Sequence, residues 1–145
     1  MSRASLDRVL SKLTFLEDYL AKLRELQKVN VDDFVGDYRL FGSAERFFQL
    51  AIETVLDITK ILAADHSIPR PDSSDQLIHE LAAHGIVEGE LAGRLDGMAR
   101  FRNLLVHEYE KIDRAHVHER LQRNLADLEA FREAMKAYLR AQNVE

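Results

Sequence analysis

A chain of 145 residues, 46% hydrophobic and 31% charged, is of a size to bury one core, and its lack of cysteine excludes disulfides, thiolate metal sites and a cysteine nucleophile. The net charge of −5, from 20 Lys and Arg against 25 Asp and Glu, excludes the broad basic footprint of a non-specific nucleic-acid binder, so any nucleic-acid contact has to be local. Charges begin at Arg3 and no apolar run approaches the roughly 18 residues of a membrane span, so a single cytoplasmic domain over residues 1–145 is expected.

From Ser5 to Lys28, Leu6, Leu10, Leu13, Leu16, Leu20 and Leu23 recur at helical spacing with charges between them, which predicts a first amphipathic helix. Val31-Asp32-Asp33 offers a cap and an acidic first turn for a second, apolar helix reaching Ala64, with a break expected near Gly42-Ser43. Within it, Phe47 to Leu62 is apolar around most of its circumference, as suits a helix in the middle of a bundle. Arg46, Gln49, Glu53, Asp57 and Lys60 step by three or four residues and form one narrow polar stripe. Phe34, Tyr38, Phe41, Phe47 and Phe48 are expected in the core.

His66 to Ser74, with Pro69 and Pro71, reads as a loop, and Asp72-Ser73-Ser74-Asp75 caps a short helix that stops at Gly85. A further helix is predicted from about Glu88 to Val106. Asp113 is the expected N-cap of a last helix carrying Val117, Leu121, Leu125, Leu128, Phe131, Met135 and Tyr138. No strand-like alternation competes, so the fold class is all-α, an antiparallel bundle of four to five helices. Neither His79 with His84 nor His116 with His118 has ligand spacing on one helical face, so no metal site is expected.

The chemistry concentrates in Phe101-Arg102-Asn103-Leu104-Leu105-Val106-His107-Glu108-Tyr109. Arginine can grip a phosphate with two donors and absorb charge in a transition state, and histidine can move protons near neutral pH, which together suit phosphodiester cleavage. On one straight helix Arg102 and His107 lie roughly 140° apart, whereas Asn103 and His107 share a face. Either the helix ends near Val106 and the chain turns, or two copies of the segment meet across a dimer. The plain structural reading, Arg102 in a surface ion pair and His107 at a helix C-terminus, stands beside these. For the polar stripe, Glu53 or Asp57 buttressing Arg102 or His107 stands beside a solvated strip with ordinary helical pairs.

The run of Arg102, four residues, His107, one residue and Tyr109 resembles the signature of the HEPN superfamily, in particular of the HepT-like toxins of HEPN/MNT toxin–antitoxin modules. Glu45 to Asp57 resembles that family's second-helix pattern, and the stretch from Leu91 through Asn103 and past Asp113 also fits. The resemblance implies a HEPN-like homodimeric helical bundle that cleaves RNA, tRNA or another structured RNA, without an obligatory metal or other cofactor. It implies Arg102 as phosphate ligand, His107 as acid–base residue and Asn103 as an orienting group. It further implies a nucleotidyltransferase antitoxin of the MNT type that places AMP on Tyr109. A HEPN dimer that only binds a nucleotidyltransferase or a nucleotide, without catalysis, is the alternative.

Overall fold

The computed structural model describes residues 1–108 and 112–143, and among them the regular structure is entirely helical. Three long helices, α1 (Arg3–Gln27), α3 (Tyr38–Asp65) and α7 (Arg114–Asn143), pack on one another, and four short ones complete the bundle: α2 (Val31–Gly36), α4 (Ser74–Ala83), α5 (Gly89–Arg94) and α6 (Met98–His107).

Helix α3 is the central element, in contact with α1, α2, α4, α6 and α7. This follows from its sequence: twelve of its residues, including Phe48, Ile52, Val55, Ile58 and Leu62, are buried around most of the helix. The two buried threonines are satisfied by their own helix, since Thr54 donates to Leu50 O and Thr59 to Leu56 O, each at 2.7 Å. Helix α1 presents Val9, Leu13, Leu16, Leu20 and Leu23, while Leu10 points outward and is 45% exposed. The end of α1 is tied to α7: Gln122 Nε2 donates to Gln27 O and His118 Nε2 to Val29 O, each at 2.8 Å, which satisfies terminal carbonyls.

Two breaks fall elsewhere than the sequence suggests. The chain between α2 and α3 breaks at Asp37, not at Gly42-Ser43, which lie inside α3. Gly36 ends one helix and extended Asp37 caps the next, accepting from Arg39 N at 2.9 Å, whereas a glycine inside a long helix costs only about 1 kcal/mol. Tyr38, first residue of α3 after this break, is 75% exposed and not a core residue, while Phe34 and Phe48 are buried and Phe41 and Phe47 partly so.

The expected helix from Glu88 to Val106 is two helices, α5 and α6, separated by Leu95-Asp96-Gly97. Gly97 makes the break possible with φ of +88°, a left-handed conformation that a side chain disfavours. The turn is held from α4, where Asp75 Oδ2 accepts from Gly97 N at 3.1 Å and His79 Nε2 meets Asp96 Oδ1 at 2.8 Å. Among the described residues these breaks raise the helix count from four or five to seven and aim α6 independently of α5. Among the described residues no helix is long and apolar enough to cross a membrane.

Candidate active site

Helix α6 carries the motif and is seated by its apolar face, Met98, Phe101 and Leu105. The ring of Phe101 meets that of Phe48 edge-on with centroids 5.4 Å apart, and the Arg120 guanidinium lies 4.7 Å from its centroid. Arg120 Nη1 in turn donates to Asn124 Oδ1 at 3.1 Å, Asn124 Nδ2 to Asp127 Oδ2 at 3.0 Å, and Arg94 Nε to Asp127 Oδ1 at 2.8 Å. A partly buried polar chain from α5 and α7 therefore backs the residue that precedes Arg102. Burial and the neighbouring Arg123 pull Arg120 below the ordinary arginine pKa.

Arg102 sits half-buried at the edge of the α3–α6 seam. Its Nη1 lies 3.7 Å from Glu53 Oε1, and its Nε donates to Asn103 Oδ1 at 3.0 Å. Gln49 Nε2 donates to the same Glu53 oxygen at 3.2 Å, so the carboxylate is held from its own helix while it faces the guanidinium. This arrangement fixes the plane of the guanidinium and leaves donors over for a ligand, because a guanidinium has five N–H groups.

Asp57, one turn beyond Glu53, does not join this group; it pairs with Lys12 Nζ of α1 at 3.1 Å. Asn103 and His107 are exposed together on the outer face of α6. The helix continues through His107 and ends at the C-cap Glu108, so the turn before His107 that would swing it toward Arg102 does not occur. Arg102 and His107 of one chain stay roughly 140° apart about the helix axis. Tyr109 lies outside the described residues.

The support from α7 escaped the sequence reading. Its signal was present, since Arg120, Asn124 and Asp127 fall at i, i+4 and i+7 beside the apolar positions of the last helix. Two histidines outside the motif bond the carbonyls of their own helices: His84 Nδ1 bonds Glu80 O and His66 Nδ1 bonds Leu62 O, each at 2.9 Å.

The all-α bundle itself is a fold shared with chains of toxin–antitoxin crystal structures. A chain of a toxin–antitoxin crystal structure with AMP-PNP is similar with a TM-score of 0.81 at 23% identity, over 90% of this chain and 98% of that one. The structure of the tri-AMPylated Shewanella oneidensis HEPN toxin in complex with MNT antitoxin is similar with a TM-score of 0.80 at 23% identity, over 94% and 99%.

In sequence, the tRNA nuclease HepT of Aphanizomenon flos-aquae is 26% identical over 103 residues, 71% of this chain and 70% of the relative. The mRNA nuclease HepT of Shewanella oneidensis is 27% identical over 117 residues, 79% and 88% of the two chains. The ribonuclease HepT-like family profile matches residues 16–135. The chain belongs to the ribonuclease HepT-like family of the HEPN class and is by that membership an endoribonuclease.

Proposed function

We propose that this chain is the toxin of a HEPN/MNT toxin–antitoxin pair, a cytoplasmic endoribonuclease that cuts tRNA without an obligatory metal and works as a homodimer. One observation carries the site assignment. Arg102 is oriented by Glu53 with donors unused, while His107 stands exposed on another side of the same unbroken helix. Neither residue is placed for an ordinary helix-stabilising pair with the other, and a second copy of the chain is the simplest source of the missing half of each site.

In the proposed reaction a ribose 2′-hydroxyl loses its proton to the His107 imidazole, and O2′ attacks the adjacent phosphorus. The bond from phosphorus to the 5′-oxygen breaks, that oxygen takes up a proton while the imidazolium gives one back to it or to water, and the products are a 2′,3′-cyclic phosphate and a 5′-hydroxyl. Arg102 holds the phosphate and neutralises the charge that accumulates on its non-bridging oxygens, and Asn103, hydrogen-bonded to Arg102, keeps that group oriented.

Tyr109 follows His107 by two residues, so AMP placed on it by the nucleotidyltransferase antitoxin brings a nucleoside and a phosphodiester charge to the cleft. Such a group competes with RNA for Arg102. The names of the two HepT relatives, a tRNA nuclease and an mRNA nuclease, support RNA as substrate.

Mixed dimers test the shared site. Arg102→Ala and His107→Ala proteins, each inactive alone, are expected to recover about a quarter of wild-type tRNA cleavage when co-refolded. Half of the random dimers are then hybrids, and each hybrid holds one intact site. No recovery, with hybrid dimers confirmed by mass, would place both residues in a site within one chain.

A further inference from the structure

We propose that Arg46 is a second phosphate-binding residue of the cleft, gripping the RNA backbone beside the phosphate that Arg102 holds; this rests on the ribonuclease reading above. Arg46 and Glu53 are seven residues apart on α3, within about 20° of each other around the helix and about 10 Å apart along it. Glu53 faces Arg102 across the seam, so Arg46 faces the same seam two turns away.

The direction of that displacement matters. Met98, at the start of α6, lines a cavity with Phe48 and Ile52, whereas the chain just past α6, Ile112 and Asp113, lines a cleft with Phe41 and Glu45. Helix α6 therefore runs antiparallel to α3, and going from Glu53 to Arg46 moves along α6 from Arg102 toward His107. Lys60, seven residues from Glu53 the other way, lies on the same stripe but away from His107. The spacing from Arg102 to Arg46 suits the phosphates of a strand that lies along the seam, a nucleotide or two apart.

Charge supports this direction. Arg46 is exposed and has no ion-pair partner among the described residues, while the two carboxylates that follow it on the stripe are engaged, Glu53 by Arg102 and Asp57 by Lys12. Glu45, next in sequence, is turned toward the cleft at Arg114, and its burial pushes its pKa above the ordinary glutamate value. In a chain of net charge −5, an uncompensated guanidinium on the seam that carries Arg102 is the kind of local cation that RNA binding needs.

The test separates binding from cleavage by using full-length protein made inactive by His107→Ala, with total tRNA as the probe at several salt concentrations. Adding Arg46→Ala is expected to weaken tRNA binding about tenfold and to reduce the slope of log affinity against log salt by about one. Arg46→Lys should keep most of the affinity, and Lys60→Ala should leave affinity near its starting value.

Unchanged affinity in Arg46→Ala overturns the proposal. So does an equal loss in Lys60→Ala, which would mark a diffuse charge effect, or conversion of the Arg46→Ala dimer to monomer, which would make Arg46 an interface residue. Failure of the ribonuclease reading is a different result: wild-type protein that leaves tRNA intact.

Discussion

Replacing His107 by alanine is expected to lower the single-turnover rate of RNA cleavage by about 10²–10⁴-fold, the usual cost of removing a general acid–base group. The fold should barely register the change. His107 is exposed in the last turn of α6 and belongs to no core contact, and its interaction with the helix dipole is worth about 0.3–1 kcal/mol. Cleavage time courses and thermal melts of the same preparations check both halves. A variant that keeps wild-type rate removes His107 from the chemistry, and one that melts far below wild type makes the loss of rate uninformative.

The largest effect on stability is expected at Phe48. This residue is 1% exposed, sits in the middle of α3 and meets Phe101 of α6 edge-on. Truncation to alanine removes a buried ring and leaves a cavity beneath the helix that bears Arg102, at a cost of about 3–5 kcal/mol. For a domain of this length that corresponds to a fall in Tm of roughly 10–16 °C, and urea titration gives the free energy directly. Phe48→Leu, which refills much of the volume, should restore most of the stability. A shift below about 1 kcal/mol in Phe48→Ala would mean that the α3–α6 seam is not packed as described.

The general plan of the bundle was readable because the apolar spacing of α1, α3 and α7 is long and regular, and periodicity is the signal that burial leaves in a sequence. The breaks were harder. Gly42-Ser43 looks like a stop and Gly36-Asp37 looks ordinary, yet Asp37 makes its own cap and Gly42 is carried along by the packing of its helix. The pause at Gly97 was hidden for a related reason: what fixes it are Asp75 and His79, about twenty residues away in sequence.

For the site, helical spacing puts Asn103 and His107 on one face and Arg102 away from it only if the helix runs on through His107, and the sequence leaves a turn near Val106 open that α6 does not make. Which carboxylate of the stripe reaches Arg102 depends on how α3 and α6 cross. The crossing brings Glu53 to Arg102 and leaves Asp57 to Lys12 on the opposite neighbour. Arg120 and its chain to Asp127 belong to the same class of tertiary information, in which the residue types are visible and their destination is not.

The central claim, that Arg102 and His107 carry an RNA cleavage through the 2′-hydroxyl, is tested most directly by incubating total tRNA in EDTA with the wild-type chain, Arg102→Ala and His107→Ala, and analysing the product ends. The account predicts fragments ending in 2′,3′-cyclic phosphate with the wild-type chain and none above background with either variant. Intact tRNA in all three reactions, with the wild-type chain shown to be folded, or equal cleavage by wild type and variants, would contradict it.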